Sequence, residues 1–182
     1  MALKATIFKA ELCVSNIDRH VYGNFSLTIA RHPSETDERM MVRVLAFALN
    51  AVDCENERLE FGKGISSDDE PALWRRDLTG AVEDWIEVGL PEERLIRRAC
   101  GKAARVALFT YGGRAVDVWW AANQAALAKQ DKLAVLDVPQ GASRALSAMA
   151  DKKMTLTATI QDGQIYLANE HDAVAIVLRV LK

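Results

Sequence analysis

The sequence has little of several features that would point to a particular class of protein. It has three cysteines, Cys13, Cys54 and Cys100, which are widely spaced and without a CxxC pair, and only three histidines. Zinc sites and disulfide frameworks need such residues in closely spaced sets, so we expect reduced thiols and no zinc site. The chain also lacks an apolar run near the ~18 residues of a membrane span. Its first residues lack the apolar core of a signal peptide. These absences predict a cytoplasmic protein without a membrane segment.

An excess of charge of one sign is also missing, because the formal net charge is -2. Many nucleic-acid-binding domains are strongly basic, so the net charge gives no support to that partner, although a local basic groove on a near-neutral body is compatible with it. Half of the 182 residues are hydrophobic and 26% are charged, which is typical of a globular protein. The length predicts a single domain over residues 1–182 with a full hydrophobic core.

Alternating apolar residues predict two antiparallel strands within the first thirty residues, with a turn near Ser15-Asn16-Ile17-Asp18. A helix is predicted from about 35 to about 53. Ser34 is its expected N-cap and Asp37 the expected capping-box partner. A short strand is predicted at Leu59-Glu60-Phe61.

Strands and helices then alternate through the middle of the chain. The predicted elements are a hairpin from Asp77 to Val88, a helix from Pro91 to about Ala104, a buried strand from Val106 to Tyr111, a helix over roughly 114 to 128, a strand from Leu133 to Val138 and a helix from Gln140 to Ala150. The last thirty residues predict a three-stranded meander, in which Asp162-Gly163 is typical of a tight type I′ turn. The pattern predicts an α+β fold with one mixed β-sheet and flanking helices.

Three acidic residues are candidate metal ligands. Asp77 and Glu87 lie near the two arms of the predicted hairpin, and Glu38 lies on the apolar face of the first helix, in its first turn. Carboxylate oxygens are the ligands that hard divalent cations such as Mg²⁺ prefer. Two alternatives remain open: Glu38 could simply complement the helix dipole, and the acidic run Asp68-Asp69-Glu70 could supply the ligand in place of Asp77.

The second predicted helix carries a basic stripe. Arg94, Arg98, Lys102 and Arg105 recur at helical spacing opposite its apolar residues. Such a stripe suits contact with a phosphate backbone, and a solvated helix face is the alternative. Trp119 and Trp120 on the third predicted helix, together with Trp74, are candidates for base stacking, with core or interface packing as the alternative use of each.

Six longer stretches carry a resemblance to a known family. They are His32-Pro33-Ser34-Glu35-Thr36-Asp37-Glu38-Arg39-Met40-Met41, Leu59-Glu60-Phe61-Gly62, Asp68-Asp69-Glu70-Pro71, Trp74-Arg75-Arg76-Asp77-Leu78-Thr79-Gly80, Trp85-Ile86-Glu87-Val88-Gly89 and Tyr111-Gly112-Gly113. Through them the chain resembles the YaeQ family over nearly its full length. The order of elements over about 34–138 also resembles the α-β-β-β-α-β core of the PD-(D/E)XK, or restriction-endonuclease-like, nuclease superfamily.

The resemblance implies a nuclease-like core extended by the N-terminal strands and the C-terminal meander. It implies that Asp77 is the motif aspartate, Glu87 the motif acid and Glu38 the helical acid, together holding Mg²⁺ or Mn²⁺. The motif lysine is missing because its position is Gly89. Some members of the superfamily carry this lysine on a neighbouring element, so Lys102 is the expected substitute.

Together these expectations predict a metal-dependent nuclease that acts on nucleic acid, with Glu38, Asp77, Glu87 and Lys102 as its catalytic residues. The substrate backbone would be held by arginines of the basic stripe: Arg94, Arg98 and Arg105. No organic cofactor is expected, and a monomer is favoured over a dimer. The alternative is a nucleic-acid-binding or protein-binding module that keeps the fold without turnover. The family has been linked loosely to transcription elongation, which would suit such a module.

Overall fold

The computed structural model describes residues 4–51, 58–63 and 70–182, which form a mixed α+β fold with two β-sheets and four helices. The helices are α1 (Asp37–Asn50), α2 (Glu93–Lys102), α3 (Arg114–Leu127) and α4 (Gln140–Ala148). The strands are β1 (Thr6–Asn16), β2 (Val21–Arg31), β3 (Leu59–Phe61), β4 (Leu73–Arg76), β5 (Val82–Val88), β6 (Ala103–Tyr111), β7 (Leu133–Val138), β8 (Lys153–Gln161), β9 (Gln164–Ala168), β10 (Ala173–Val177) and β11 (Arg179–Val180).

The first sheet joins the two ends of the chain in the order β10-β9-β8-β1-β2. β1 pairs antiparallel with β2 and parallel with β8. The sequence predicts both the N-terminal hairpin and the C-terminal meander, but as extensions of one mixed sheet. That part of the prediction is wrong, because the parallel pairing of β1 with β8 makes a separate sheet. The predicted turn between β8 and β9 is present, with positive φ at both Asp162 and Gly163.

The second sheet has the order β11-β7-β6-β5-β4-β3 and contains three central parallel strands, β5, β6 and β7. α2 connects β5 to β6 and α3 connects β6 to β7, as parallel strands require. The predicted final strand is in fact two. β10 ends at Val177 in the first sheet, and Arg179–Val180 then pair antiparallel with β7 in the second sheet.

The described elements form four layers: the first sheet, α1 with α4, the second sheet, and α2 with α3. Every residue of α1 from Met40 to Ala48 is buried. These residues share one hydrophobic cluster with the inner face of the first sheet, with Leu146 of α4 and with one face of the second sheet. The opposite face of the second sheet packs against α2 and α3 in a second cluster. α1 is therefore buried on both sides, between the two sheets.

Two helix boundaries differ from the sequence prediction. Thr36 is the N-cap of α1, because its Oγ1 accepts a hydrogen bond from the backbone N–H of Arg39 at 3.1 Å. Ser34 is instead hydrogen-bonded to His32 in the preceding turn. α2 ends at Lys102, since Ala103 already pairs with Val82 in the second sheet. Arg105 therefore lies on β6 and not on the helix.

Candidate functional site

The carboxyl ends of the three parallel strands lie at one edge of the second sheet. β5 ends at Val88, β6 at Tyr111 and β7 at Val138, and the pairings Val88 with Phe109 and Tyr111 with Val138 align these ends. α3 and α4 begin directly after β6 and β7, so their N-termini lie at the same edge. In open α/β sheets, ligands bind in the crevice beyond the carboxyl ends of the strands. We call this region the carboxyl edge.

Glu87 and Arg39 meet at the carboxyl edge. Glu87 is the penultimate residue of β5 and is buried, with 8% of its surface exposed. Its Oε1 lies 3.7 Å from Nη2 of Arg39, in the first turns of α1, and accepts a bond from the backbone N–H of Val88 at 3.3 Å. This ion pair brings the N-terminal end of α1 to the end of β5.

Glu38 lies beside Arg39 in the first turn of α1 and contacts α4. Its Oε1 accepts a hydrogen bond from the hydroxyl of Ser143 at 2.6 Å. Ser143 is fully buried, whereas Glu38 is half-buried. Glu38 and Glu87 therefore both lie at the carboxyl edge, Glu38 in contact with α4 and Glu87 in contact with Arg39.

A buried ion-pair network holds Arg39 in position. Glu35 accepts a hydrogen bond from Nη1 of Arg39 at 2.7 Å and bonds from Nη1 of Arg43 at 3.1 and 3.0 Å. Arg43 is fully buried, and Nη1 also donates to the carbonyl of Ala30, while Nη2 donates to that of Gly62. Burial lowers the pKa of Arg43, and the carboxylate of Glu35 opposes that shift. Glu35 was missed by the site prediction, although its spacing of four and eight residues from the two arginines is a helix-face signal.

Tyr111 is a second residue of the carboxyl edge that the site prediction missed. It ends β6 and is half-buried. Burial raises the pKa of its hydroxyl, and a hydrogen bond with Thr36 and the nearby charge of Arg39 partly offset that rise. Glu38 and Glu35 lie close enough to raise the pKa further. Tyr111 therefore stays a neutral hydrogen-bonding group beside the two carboxylates.

Asp77 does not lie with Glu87 at the carboxyl edge, so the structure does not bring these two predicted ligands together. The first arm of the hairpin is β4, so Asp77 lies in the turn that precedes β5. Its Oδ1 accepts bonds from the backbone N–H groups of Thr79 at 2.8 Å and Ala81 at 2.9 Å, and from the Thr79 hydroxyl. The Thr79 hydroxyl bond lowers the pKa of Asp77. Five strand residues, about 17 Å, separate this turn from Glu87.

Lys102 also lies at the end of β5 opposite the carboxyl edge, and its role as the substitute lysine stays a prediction. It is the last residue of α2, next to Ala103, which pairs with Val82 at the start of β5. Its Nζ is 5.7 Å from the ring centroid of Trp85. Gly89 has a φ of +114°, a backbone conformation that a lysine adopts only with strain. The backbone at the end of β5 therefore disfavours a lysine at position 89.

Two of the three predicted nucleic-acid-binding arginines remain on one exposed surface. Arg94 and Arg98 are exposed on α2. Arg105 is separated from them on β6, where its Nε donates to Asp84 at 2.7 Å, and Asp84 also accepts from Arg75 at 2.6 Å. Burial raises the pKa of Asp84, but the bonds from the two arginines outweigh it and the pKa is lowered. Arg105 has a structural ion pair and is not part of a stripe on α2.

The alternative acidic run falls partly outside the described residues, which do not include Asp68 and Asp69. The third acid, Glu70, accepts a hydrogen bond from the backbone N–H of Lys63 at 2.8 Å. Glu70 precedes β4, whose first residue, Leu73, pairs with Ile86 beside Glu87. Across residues 4–51, 58–63 and 70–182, no cluster of three or more His, Cys, Asp or Glu side chains could hold a metal ion.

Fold and site together define a class: a mixed α+β protein with two sheets, in which carboxylates and the partly buried Arg39 lie at the carboxyl edge of three parallel strands. No helix within the described residues is long and apolar enough to cross a membrane. The family described as YaeQ protein matches residues 1–178, and the chain belongs to this family, as the sequence motifs predict.

Named relatives and solved structures agree with this membership. The chain is 49% identical to "Uncharacterized protein YaeQ" of Escherichia coli (strain K12), over 93% of this chain and 92% of that protein. It is 47% identical to the protein of the same name in Salmonella typhi, over 98% and 96%. The crystal structure of YaeQ from Xanthomonas axonopodis pv. citri superposes with a TM-score of 0.91 at 44% identity, covering 98% of both chains. That of YaeQ from Pseudomonas syringae gives 0.90 at 34% identity, covering 98% and 96%.

Proposed function

We propose that the protein is a metal-dependent phosphodiesterase that acts on nucleic acid at the carboxyl edge, through a variant PD-(D/E)XK site. One observation carries the proposal: Glu87 from a strand end contacts Arg39 of the first helix at this edge, and Glu38, the residue before Arg39, contacts α4 at the same edge. The order of elements from α1 to β7 supports the nuclease-like core. Asp77 and Lys102 have no part in the revised site.

The donor set fits a hard divalent cation. Mg²⁺ in nucleic-acid enzymes is commonly held by one or two carboxylates, with water and substrate phosphate oxygens completing the shell. Glu38 and Glu87 are the two residues of the described chain that would hold it. When bound, Mg²⁺ or Mn²⁺ would polarise a phosphate oxygen and favour ionisation of water at neutral pH.

Arg39 supplies the positive charge that the motif lysine would otherwise bring. Its guanidinium lies 3.7 Å from Glu87 and is oriented by Glu35 at 2.7 Å. Because a guanidinium stays protonated in proteins, Arg39 cannot accept a proton from water. Its role is to neutralise and orient a phosphate, and the half-buried hydroxyl of Tyr111 is a further hydrogen-bonding group at the same edge.

A second function is favoured by the same ion pair. Arg39 compensates the charge of Glu87, and Arg43 that of Glu35. Such compensation suits a module that binds nucleic acid or a protein without cleaving it, the role to which a link with transcription elongation would belong. The two functions differ in whether turnover depends on Glu38 and Glu87.

A cleavage assay separates the two functions. Wild-type protein, Glu38→Gln, Glu87→Gln and Asp77→Asn would be incubated with single- and double-stranded DNA and RNA, with Mg²⁺ or Mn²⁺ and with EDTA. We expect metal-dependent cleavage by wild type and by Asp77→Asn, and a loss of about 100-fold or more in both glutamine variants. Asp77→Asn is the matched control, because it makes the same chemical change about 17 Å from Glu87.

Two results would count against the enzyme. Equal cleavage by wild type and Glu87→Gln would indicate a contaminating nuclease. Binding without cleavage under every condition would favour the second function. A loss of activity in Asp77→Asn equal to that in Glu87→Gln would contradict the revised site.

A further inference from the structure

The outer face of the second sheet is covered unevenly. α2 and α3 pack against β5, β6 and β7, and the buried cluster between them includes Trp85, Ile96 and Leu108. No residue of β3 or β4 belongs to this cluster among the described residues. The outer side of β4 therefore lies beside α2 and outside this buried cluster.

Trp74 and Arg76 lie on this outer side of β4. Trp74 pairs directly with Trp85, so the two side chains are on the same face, with their rings edge-to-face and centroids 6.3 Å apart. The guanidinium of the exposed Arg76 lies over the Trp74 ring, 3.6 Å from its centroid. An arginine stacked on an aromatic ring is pre-organised, with its outer plane and its N–H groups facing outward.

The basic side chains continue along α2. Lys102 lies over Trp85, and Arg98 and Arg94 precede it at intervals of four residues, which puts all three on one side of the helix. All three are exposed. They span two turns, about 12 Å, from the end of β5 that carries the Asp77 turn towards the carboxyl edge.

Charge favours an anionic partner on this surface. Four cations, Arg76, Lys102, Arg98 and Arg94, lie along it, and three acids lie on the same face of the strands. Glu60 pairs with Trp74, and Glu83 and Glu87 are two residues before and after Trp85. The surface is thus basic on a chain whose formal net charge is -2.

We propose that this strip, defined as Trp74, Arg76, Lys102, Arg98 and Arg94, binds single-stranded nucleic acid and leads it to the carboxyl edge. A base can stack on the outer plane of Arg76 only if it is not already stacked inside a duplex. The cations of α2 then follow the phosphate backbone. The strip identifies single-stranded nucleic acid as the substrate class of the proposed function. The inference rests on that proposed function, which supplies the reason for binding nucleic acid.

Binding of fluorescently labelled oligonucleotides, measured by anisotropy in EDTA, tests the strip without involving metal or cleavage. We expect wild type to bind single-stranded DNA or RNA more tightly than a duplex of the same length. Arg76→Ala should weaken single-strand binding about 10-fold, a typical effect of losing one stacking contact. Arg76→Lys keeps the charge but lacks the planar group, and should recover only part of that loss.

The exposed Lys9 on the first sheet provides the control, because Lys9→Ala removes a positive charge from a distant surface. This variant should bind like wild type. Arg94→Ala/Arg98→Ala should lower the slope of log affinity against log salt by about 2, one for each lost phosphate contact. Circular dichroism would verify that every variant is folded.

The strip is rejected if Arg76→Ala binds like Lys9→Ala, or if duplexes bind as tightly as single strands. These results are independent of the cleavage assay. Strip variants that weaken binding in a protein without nuclease activity would support the strip and reject the enzyme. Cleavage that depends on Glu87, with Arg76→Ala binding normally, would support the enzyme and reject the strip.

Discussion

Arg43 is a charged residue at the centre of the hydrophobic core. It is fully buried on α1, and its guanidinium reaches Glu35, the end of β2 at Ala30 and the segment after β3 at Gly62. Its Nε has no hydrogen-bond partner within the described residues. The guanidinium also lies 5.3 Å from the ring centroid of Phe61. One side chain thus connects three separate segments.

Replacing this arginine should be costly because its partner would stay buried and charged. We expect Arg43→Met to lower the free energy of unfolding by about 3–5 kcal/mol, the usual cost of removing one partner of a buried ion pair. Urea unfolding monitored by circular dichroism would measure it. The double variant Glu35→Gln/Arg43→Met should recover part of the loss, since it also removes the buried carboxylate that Arg43 compensates. A change below about 1 kcal/mol in Arg43→Met would contradict this account.

Among the elements, α1 depends on a cap that sequence alone assigns to the wrong residue. Two hydroxyl residues, Ser34 and Thr36, precede the helix, and both are good N-caps. Thr36 caps the helix because Ser34 is bonded to His32 in the turn before it. Local pattern could not decide between them, because the choice depends on where the turn ends.

The two hydroxyl residues form a matched pair for a test of the cap. Thr36→Ala should reduce the free energy of unfolding by about 1 kcal/mol, since the N–H of Arg39 loses its acceptor. Ser34→Ala should cost less, because Ser34 is exposed and makes only local contacts with His32. Thermal and urea unfolding of the two variants would be compared. A larger effect of Ser34→Ala would show that the cap lies at Ser34.

Elements with clear periodicity were predictable, whereas the third member of the site was not. The central helices and strands fall within a few residues of their predicted bounds, because apolar spacing reports local structure. Asp77 was expected beside Glu87, but Asp77-Leu78-Thr79-Gly80 is a turn in which the aspartate binds the backbone, and Gly80 has a φ of +87°. The positions of Glu38 on the helix face and of Glu87 near the strand end could be predicted from helical and strand periodicity. Arg39 and Tyr111 needed the packing of α1 on the sheet.

At the scale of the whole molecule, the two sheets share one core through α1. All four tryptophans lie elsewhere: Trp74 and Trp85 on the second sheet, and Trp119 and Trp120 on α3. The indole of Trp119 donates to the carbonyl of Pro91 at 3.0 Å, so it is used in packing. Tryptophan fluorescence therefore reports on one side of the molecule, while the first sheet has no tryptophan.

Because the tryptophans lie on one side of the molecule, their fluorescence can test whether the two sheets unfold together. Ile29 is fully buried on β2 in the first sheet, and Ile29→Ala should lower the free energy of unfolding by about 2–5 kcal/mol. Because the core is shared, the urea midpoint seen by tryptophan fluorescence should fall together with that seen by far-ultraviolet circular dichroism. A tryptophan transition that stays in place while the dichroism transition moves would show that the first sheet unfolds independently.

The division into two sheets could not be predicted from local pattern. Alternating apolar residues and turn residues predicted the hairpin of β1 and β2 and the meander of β8 to β10. Their parallel pairing joins Lys9 to Lys153, near opposite ends of the chain, and no local signal encodes it. The same holds for β11, which crosses from the first sheet to β7.

The pairing of β1 with β8 also has a consequence for the newly made chain. The ribosome releases the hairpin of β1 and β2 before its neighbour in the sheet, because β8 follows only after about 120 further residues. At ~5–20 residues per second, this interval lasts roughly 6–24 seconds. During it, the edge of β1 that later accepts β8 is open to other extended segments. The nascent hairpin therefore has an unpaired strand edge for most of the time in which the later strands are made.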